Sequence, residues 1–203
     1  MKSYSVAACA LIAMFGVAST ANAGPFGQGG TVARFKTTSK GIDIGYGCET
    51  GLCSGGVTAT VYDDFVAGSM VGAVQVYFRD PDTYLLRIMS CYGPAYAHML
   101  SINAANGMSS LFVVLDPSNT TDCIQSGEFT APVTVNLSGQ DNGTATGLTD
   151  GVFLYKDPTQ TLRGRNKTFS FTETFNGTLG GATGPFNGAA FGQMNSSVTR
   201  TRP

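Results

Sequence analysis

Alternation of period two runs through most of this chain, and it limits the fold more than any other feature. In GIDIGYGC, Ile42, Ile44, Tyr46 and Cys48 fall on one side of an extended backbone, with Asp43, Gly45 and Gly47 on the other. GVTATVY repeats the pattern through Val57, Ala59 and Val61, and GAVQVYFRD through Val74, Val76 and Phe78. Successive side chains of a strand point to opposite faces, so each stretch predicts a half-buried strand rather than a helix of period 3.6. YLLRIMSC and SLFVVLDP are denser apolar runs, expected as central strands covered on both faces. VTVNL, GVFLYKD and TFSFTETF continue the series, and in the last of these Glu173 interrupts a face shared by Phe169, Phe171 and Phe175.

Between the runs stand turn residues. Asp80-Pro81-Asp82 predicts a hairpin turn, and Asn103 to Gly107 another, because Asn106 and Gly107 tolerate positive φ. GQDNGTATGLTDG reads as a long exposed loop, and the Gly- and Pro-rich GPFGQGG and GPFNGAAFGQ as covering or flexible segments. About eight to ten short strands, each of about five to seven residues, predict an all-β fold: an antiparallel β-sandwich or small barrel with little helix.

The N-terminus predicts export. Lys2 precedes an apolar run, VAACALIAMFGVA, that is shorter than the roughly 20 residues of a membrane span, and Ala21 and Ala23 frame an A-x-A cleavage pattern. The expected organisation is a cleaved signal peptide at 1–23 followed by a single disulfide-bonded β domain at 24–203. Cleavage removes Cys9 and leaves Cys48, Cys53, Cys91 and Cys123, an even number in an oxidising space. Four cysteines allow three connectivities. The Gly51 turn favours Cys48 with Cys53, leaving Cys91 with Cys123. Zinc is disfavoured because the second pair is split and His98 is the only histidine, while a thioredoxin-type motif needs two intervening residues rather than the four of CETGLC.

Charged residues make up only 12% of the chain, against roughly a quarter in an average domain, so Thr, Ser, Asn and Gly must finish the surface. The charge is also segregated. Residues 41–155 carry eleven acidic groups against Arg79 and Arg87, whereas 156–203 carry six basic groups against Asp157 and Glu173, and Arg34, Lys36 and Lys40 lie before the acidic middle. Such basic ends suit terminal strands lying beside each other or against the acidic middle. They also make Arg163, Arg165 and Lys167 of RGRNK a candidate patch for an anionic glycan or lipid headgroup, with solvated loop charge as the plainer reading. The short basic stretch and net negative charge argue against nucleic acid.

Catalytic signatures are sparse. The sequence has no G-x-S-x-G elbow, H-E-x-x-H or phosphate-binding glycine loop, and His98 beside Tyr96 and Met99 reads as structural. Carboxylates such as Asp63, Asp64, Asp80, Asp82, Glu128 and Glu173 leave a glycoside cleft formally open, although Asp63 and Asp64 would point to opposite faces of a strand. Asp80 with Asp82, and Asp141, Asn142 and Asp150, offer oxygen ligands for calcium, but the EF-hand pattern is absent and turn hydrogen bonding is the favoured reading. No cofactor and no metal are expected. The leading expectation is an exported, non-catalytic β domain of the periplasm, cell surface or medium that binds a glycan, surface or envelope protein through loops. A fimbria-like assembly subunit and a secreted polysaccharide hydrolase are the alternatives. An outer-membrane barrel is disfavoured by short strands, absent Trp and the VTRTRP end.

Overall fold

The computed structural model describes residues 32–48, 52–64, 69–103, 105–142, 146–157 and 160–201. The proposed signal peptide and the GPFGQGG segment lie outside the described residues. The chain runs through β1 (Val32–Tyr46), β2 (Gly55–Asp64), β3 (Ser69–Arg79), β4 (Leu86–Gly93), a 3₁₀ turn (Pro94–Tyr96), β5 (Leu100–Asn103) and β6 (Met108–Leu115). It continues through β7 (Cys123–Ser126), β8 (Val133–Asp141), β9 (Thr146–Asp157), β10 (Gln160–Leu179), β11 (Ala182–Thr183) and β12 (Phe186–Thr201). All strands join one antiparallel sheet in the order β5-β6-β8-β10-β12-β1-β2-β3-β4-β7, with β9 and β11 pairing β10 off this path.

One apolar core draws on both halves of the sheet. Ile42 and Ile44, Val57, Ala59 and Val61, and Val74 and Val76 are buried, as their alternation predicts, and they share that core with Leu111, Val113, Val135, Leu137 and Phe175. The sheet therefore curls over itself, and β5 touches β2. Close packing is visible at Gly72, where an added Cβ would meet Tyr96. The terminal strands do lie side by side, with Val32 opposite Thr201 and Gly45 opposite Asn187.

Several local expectations change. Strands are longer than the sequence suggests: β1 has 15 residues, β10 has 20 and β12 has 16. The length argument against an outer-membrane barrel falls with this. The Gly-rich tail GPFNGAAFGQ enters β12 rather than covering the fold. Its glycines make room for rings of β10: an added Cβ at Gly188 would lie 3.1 Å from the Phe175 ring, and one at Gly192 would strike the Phe169 ring. Gly in a strand often marks such a close approach. GQDNGTATGLTDG is likewise mostly strand, split between the end of β8 and the start of β9.

The two dense apolar runs are not covered on both faces. In β6, Leu111, Val113 and Leu115 are buried while Phe112 is 61% exposed and Val114 lies open beside it. In β4, Met89 and Cys91 are buried and Leu86 and Tyr92 are exposed. Both strands lie near the sheet edges, next to four-residue β5 and β7. No second layer covers their outer faces among the described residues, which is information that apolar density alone does not carry.

Candidate functional site

Two disulfides staple the body of the sheet. Cys48 bonds Cys53, closing the CETGLC loop, and Cys91 bonds Cys123 across a sequence separation of 32. Cys91 and Cys123 sit directly opposite each other on the β4–β7 ladder, so the bond secures an edge strand of only four residues. The Tyr96 hydroxyl lies 3.2 Å from the Cys123 sulfur and ties the 3₁₀ turn to the same point. Paired cysteines of this kind accord with an oxidising, extracytoplasmic compartment.

Four of the carboxylates, Asp63, Asp80, Asp116 and Glu173, are taken up by hydrogen bonds or the core. Asp80 Oδ1 accepts hydrogen bonds from the backbone N–H groups of Asp82 and Thr83 and from the Thr83 hydroxyl. The bonds from Thr83, and then that from Asp82, hold the Asp80 carboxyl below its ordinary range. Asp116 is lowered in the same way by the hydroxyl and backbone N–H of Ser118. Asp63 accepts the backbone N–H of Thr38. Glu173 differs, being 0% exposed on a face between Phe171 and Phe175. The Ser109 hydroxyl donates to its Oε2, and Oε1 has no hydrogen-bond partner. Burial raises its carboxyl above the usual range; the Ser109 bond opposes this, and Asp141, directly opposite on β8, adds to it. A general acid must reach the proton acceptor on its substrate, and Glu173 is closed off from any. His98 lies exposed in the turn before β5. No group of three or more metal-ligating side chains occurs among the described residues.

The chain matches no family model, no curated protein and no solved structure. Its site must therefore be read from its own geometry.

The RGRNK segment lies in strand β10, not in a loop. Arg163 and Arg165 are both exposed and flank buried Gly164, while Lys167 is half-buried. On the β9 side, Arg163 pairs with Leu154, Arg165 with Val152 and Lys167 with Asp150. Residues directly opposite in an antiparallel pair share a face. Leu154 and Val152 are 69% and 71% exposed, so the two arginines share their face with open aliphatic side chains. On the other side of β10, Arg163 pairs with Thr199 of β12, and Thr199 pairs with Arg34 of β1. Lys156 of β9 takes the register position opposite Thr161. A β-bulge falls between Arg163 and Arg165 on the β12 side, a device that re-aims side chains.

This part of the sheet extends past the body. Among the described residues β2 pairs in register with β1 only from Ser39 to Tyr46, and the earlier residues of β1 take their ladder partners from β12. β9, among the described residues, pairs only with β10. The extension thus consists of β9, the first half of β10, the last half of β12 and the start of β1. The register thus brings positions 34, 156, 163 and 165 into the same part of the sheet, although more than a hundred residues separate the first from the others.

A second exposed feature occupies the opposite end, at the β3–β4 hairpin. Tyr84 and Leu85 are 64% and 68% exposed, and Leu86 follows them into the open. The backbone beneath them is fixed: Asp80 N–H donates to the Leu85 carbonyl, Tyr84 N–H to the Asp80 carbonyl, and the Arg79 guanidinium to the Tyr84 carbonyl. Tyr84 itself has φ 58°, a left-handed conformation uncommon outside glycine.

Proposed function

We propose that this chain is an exported, non-catalytic β domain of the cell envelope or medium that holds an anionic partner on the basic face of its sheet extension. Glycan or envelope protein is the class of partner, and periplasm, cell surface or medium the place. The observation that supports this most is the exposed pair Arg163 and Arg165 beside exposed Val152 and Leu154, on a face left uncovered among the described residues. Arginine presents a planar fork of donors suited to carboxylate, sulfate or phosphate, and nearby aliphatic surface adds contact area without competing for those groups.

The packing of the body supports a water-exposed sheet. Its inward face is a continuous apolar core, and Thr134, Asn136, Ser138 and Gln140 of β8 alternate outward. A transmembrane barrel has the opposite arrangement, apolar outside and polar within.

The direct test is salt-gradient elution of the exported chain from dextran sulfate, with neutral dextran as control. Retention on the polyanion alone, lost in an Arg163→Glu/Arg165→Glu variant, is the expected result. Equal elution of variant and parent would overturn the reading.

A further inference from the structure

The apolar hairpin tip and the basic face are complementary, and they lie at opposite ends of one molecule. At the tip, Tyr84, Leu85 and Leu86 are exposed, and exposed Asp82 and Glu128 carry negative charge at the same end of the sheet. Arg79 and Arg87 stand at this end too, the first holding the Tyr84 carbonyl and the second lying 5.7 Å from the centre of the Phe129 ring, so with Asp80 included the carboxylates exceed the cations by one. At the other end, Arg163 and Arg165 stand beside exposed Val152 and Leu154.

The register sets the distance between them. Phe78 pairs with Gly55, Gly55 with Tyr46, Gly45 with Asn187 and Asn187 with Thr174, which locates the tip beyond Thr174 of β10. Arg165 lies nine residues back along the same strand, about 30 Å at strand rise. The tip projects from the far end, so it cannot meet its own basic face.

We infer that the anionic partner of the basic face is the hairpin tip of a second copy of this chain, docked head to tail; this rests on the reading of that face given above. Tyr84, Leu85 and Leu86 lie against Val152 and Leu154, while Asp82 and Glu128 face Arg163 and Arg165. Because the tip is pinned by Asp80, Thr83 and Arg79 before any contact forms, little loop ordering opposes docking. Two different surfaces meet in this contact, so it is heterologous. It closes into rings or grows as an open fibre, and it does not stop at a two-fold dimer.

Sedimentation of the exported chain from about 1 to 500 µM, at low salt and at about 0.5 M salt, tests this, since exposed charge contacts weaken as the screening length shrinks. The expected result is a mass that rises with concentration past the dimer and falls back with salt. Tyr84→Gly/Leu85→Ser and Arg163→Glu/Arg165→Glu should each weaken self-association at least about 30-fold, the loss typical of a docking anchor. Glycine suits φ 58° at position 84, so the tip variant keeps its backbone; unchanged melting of both variants shows that folding is intact. Mixing the two variants is decisive: each retains one working surface, so the mixture should form a dimer and grow no further. A parent that stays monomeric throughout, yet binds dextran sulfate through Arg163 and Arg165, would overturn head-to-tail docking and leave the anion-binding face standing. A monomer that also ignores dextran sulfate would overturn both. Oligomers indifferent to either variant would overturn the inference as well.

Discussion

The body and the extension share the same antiparallel backbone but put their faces to different uses. In the body, every second residue of β2 and β8 enters a common core, and two disulfides pin the β1–β2 loop and the β7 edge. In the extension, the face bearing Val152, Leu154, Arg163 and Arg165 opens to solvent. Alternation by itself specifies which residues travel together. Whether a face is covered depends on what the sheet folds against. The body therefore carries the stability and the extension offers a surface.

Core truncation should separate the two regions most strongly. Leu137→Ala removes a side chain that is 1% exposed and should cost about 2–5 kcal/mol in a denaturant melt. Leu154→Ala in the extension should stay within about 0.5 kcal/mol. Equal losses would erase the contrast.

The disulfides sharpen the account of the body. In a chain-entropy treatment, opening the Cys91–Cys123 bond costs about 4 kcal/mol and opening Cys48–Cys53 about 2 kcal/mol, because the closed loops differ in length. Pairwise Cys→Ala replacement followed by melting should reproduce that order. A reversal would mean that the CETGLC loop matters beyond its length.

Glu173 gives a smaller, pH-dependent effect. Its folded carboxyl is raised by burial, so the native chain holds this proton more firmly than the unfolded chain. That contribution to stability is present in full below the unfolded value near 4.3 and is lost as pH rises through the folded value. Glu173→Gln should therefore melt above the parent at neutral pH and lose that advantage in acid. An advantage that persists unchanged into acid would place the effect elsewhere than in the carboxyl proton.

The least expected effect on stability belongs to the basic face. Arg163→Glu/Arg165→Glu should leave the melt within about 0.5 kcal/mol, since both side chains are exposed. A large drop would make the arginines part of the fold rather than of a surface.

The legibility of the sequence follows the same division. Ile42, Val57, Ala59, Val61, Val74 and Val76 alternate cleanly, and their burial could be read directly because a strand admits only two faces. The turns at Asp80 and Asn103 were equally open to inspection, for their residues bond their own backbone. β12 was obscured because its glycines receive rings from Phe169 and Phe175 of neighbouring strands, which no local pattern announces. The basic residues of RGRNK stood out as a cluster, but their neighbours Val152 and Leu154, and the register that brings Arg34 into line, depend on pairings between distant segments. Tyr84 gave no warning of its left-handed backbone, which the hydrogen bonds of Asp80 and Arg79 impose from either side.

Hydrogen exchange of the disulfide-bonded chain, with and without dextran sulfate, tests the division of labour most directly. The account predicts that added protection concentrates in residues 150–167, while the amides of β2, β3 and β8 are unchanged. Protection gained in the body, or none anywhere at saturating polyanion, would contradict it.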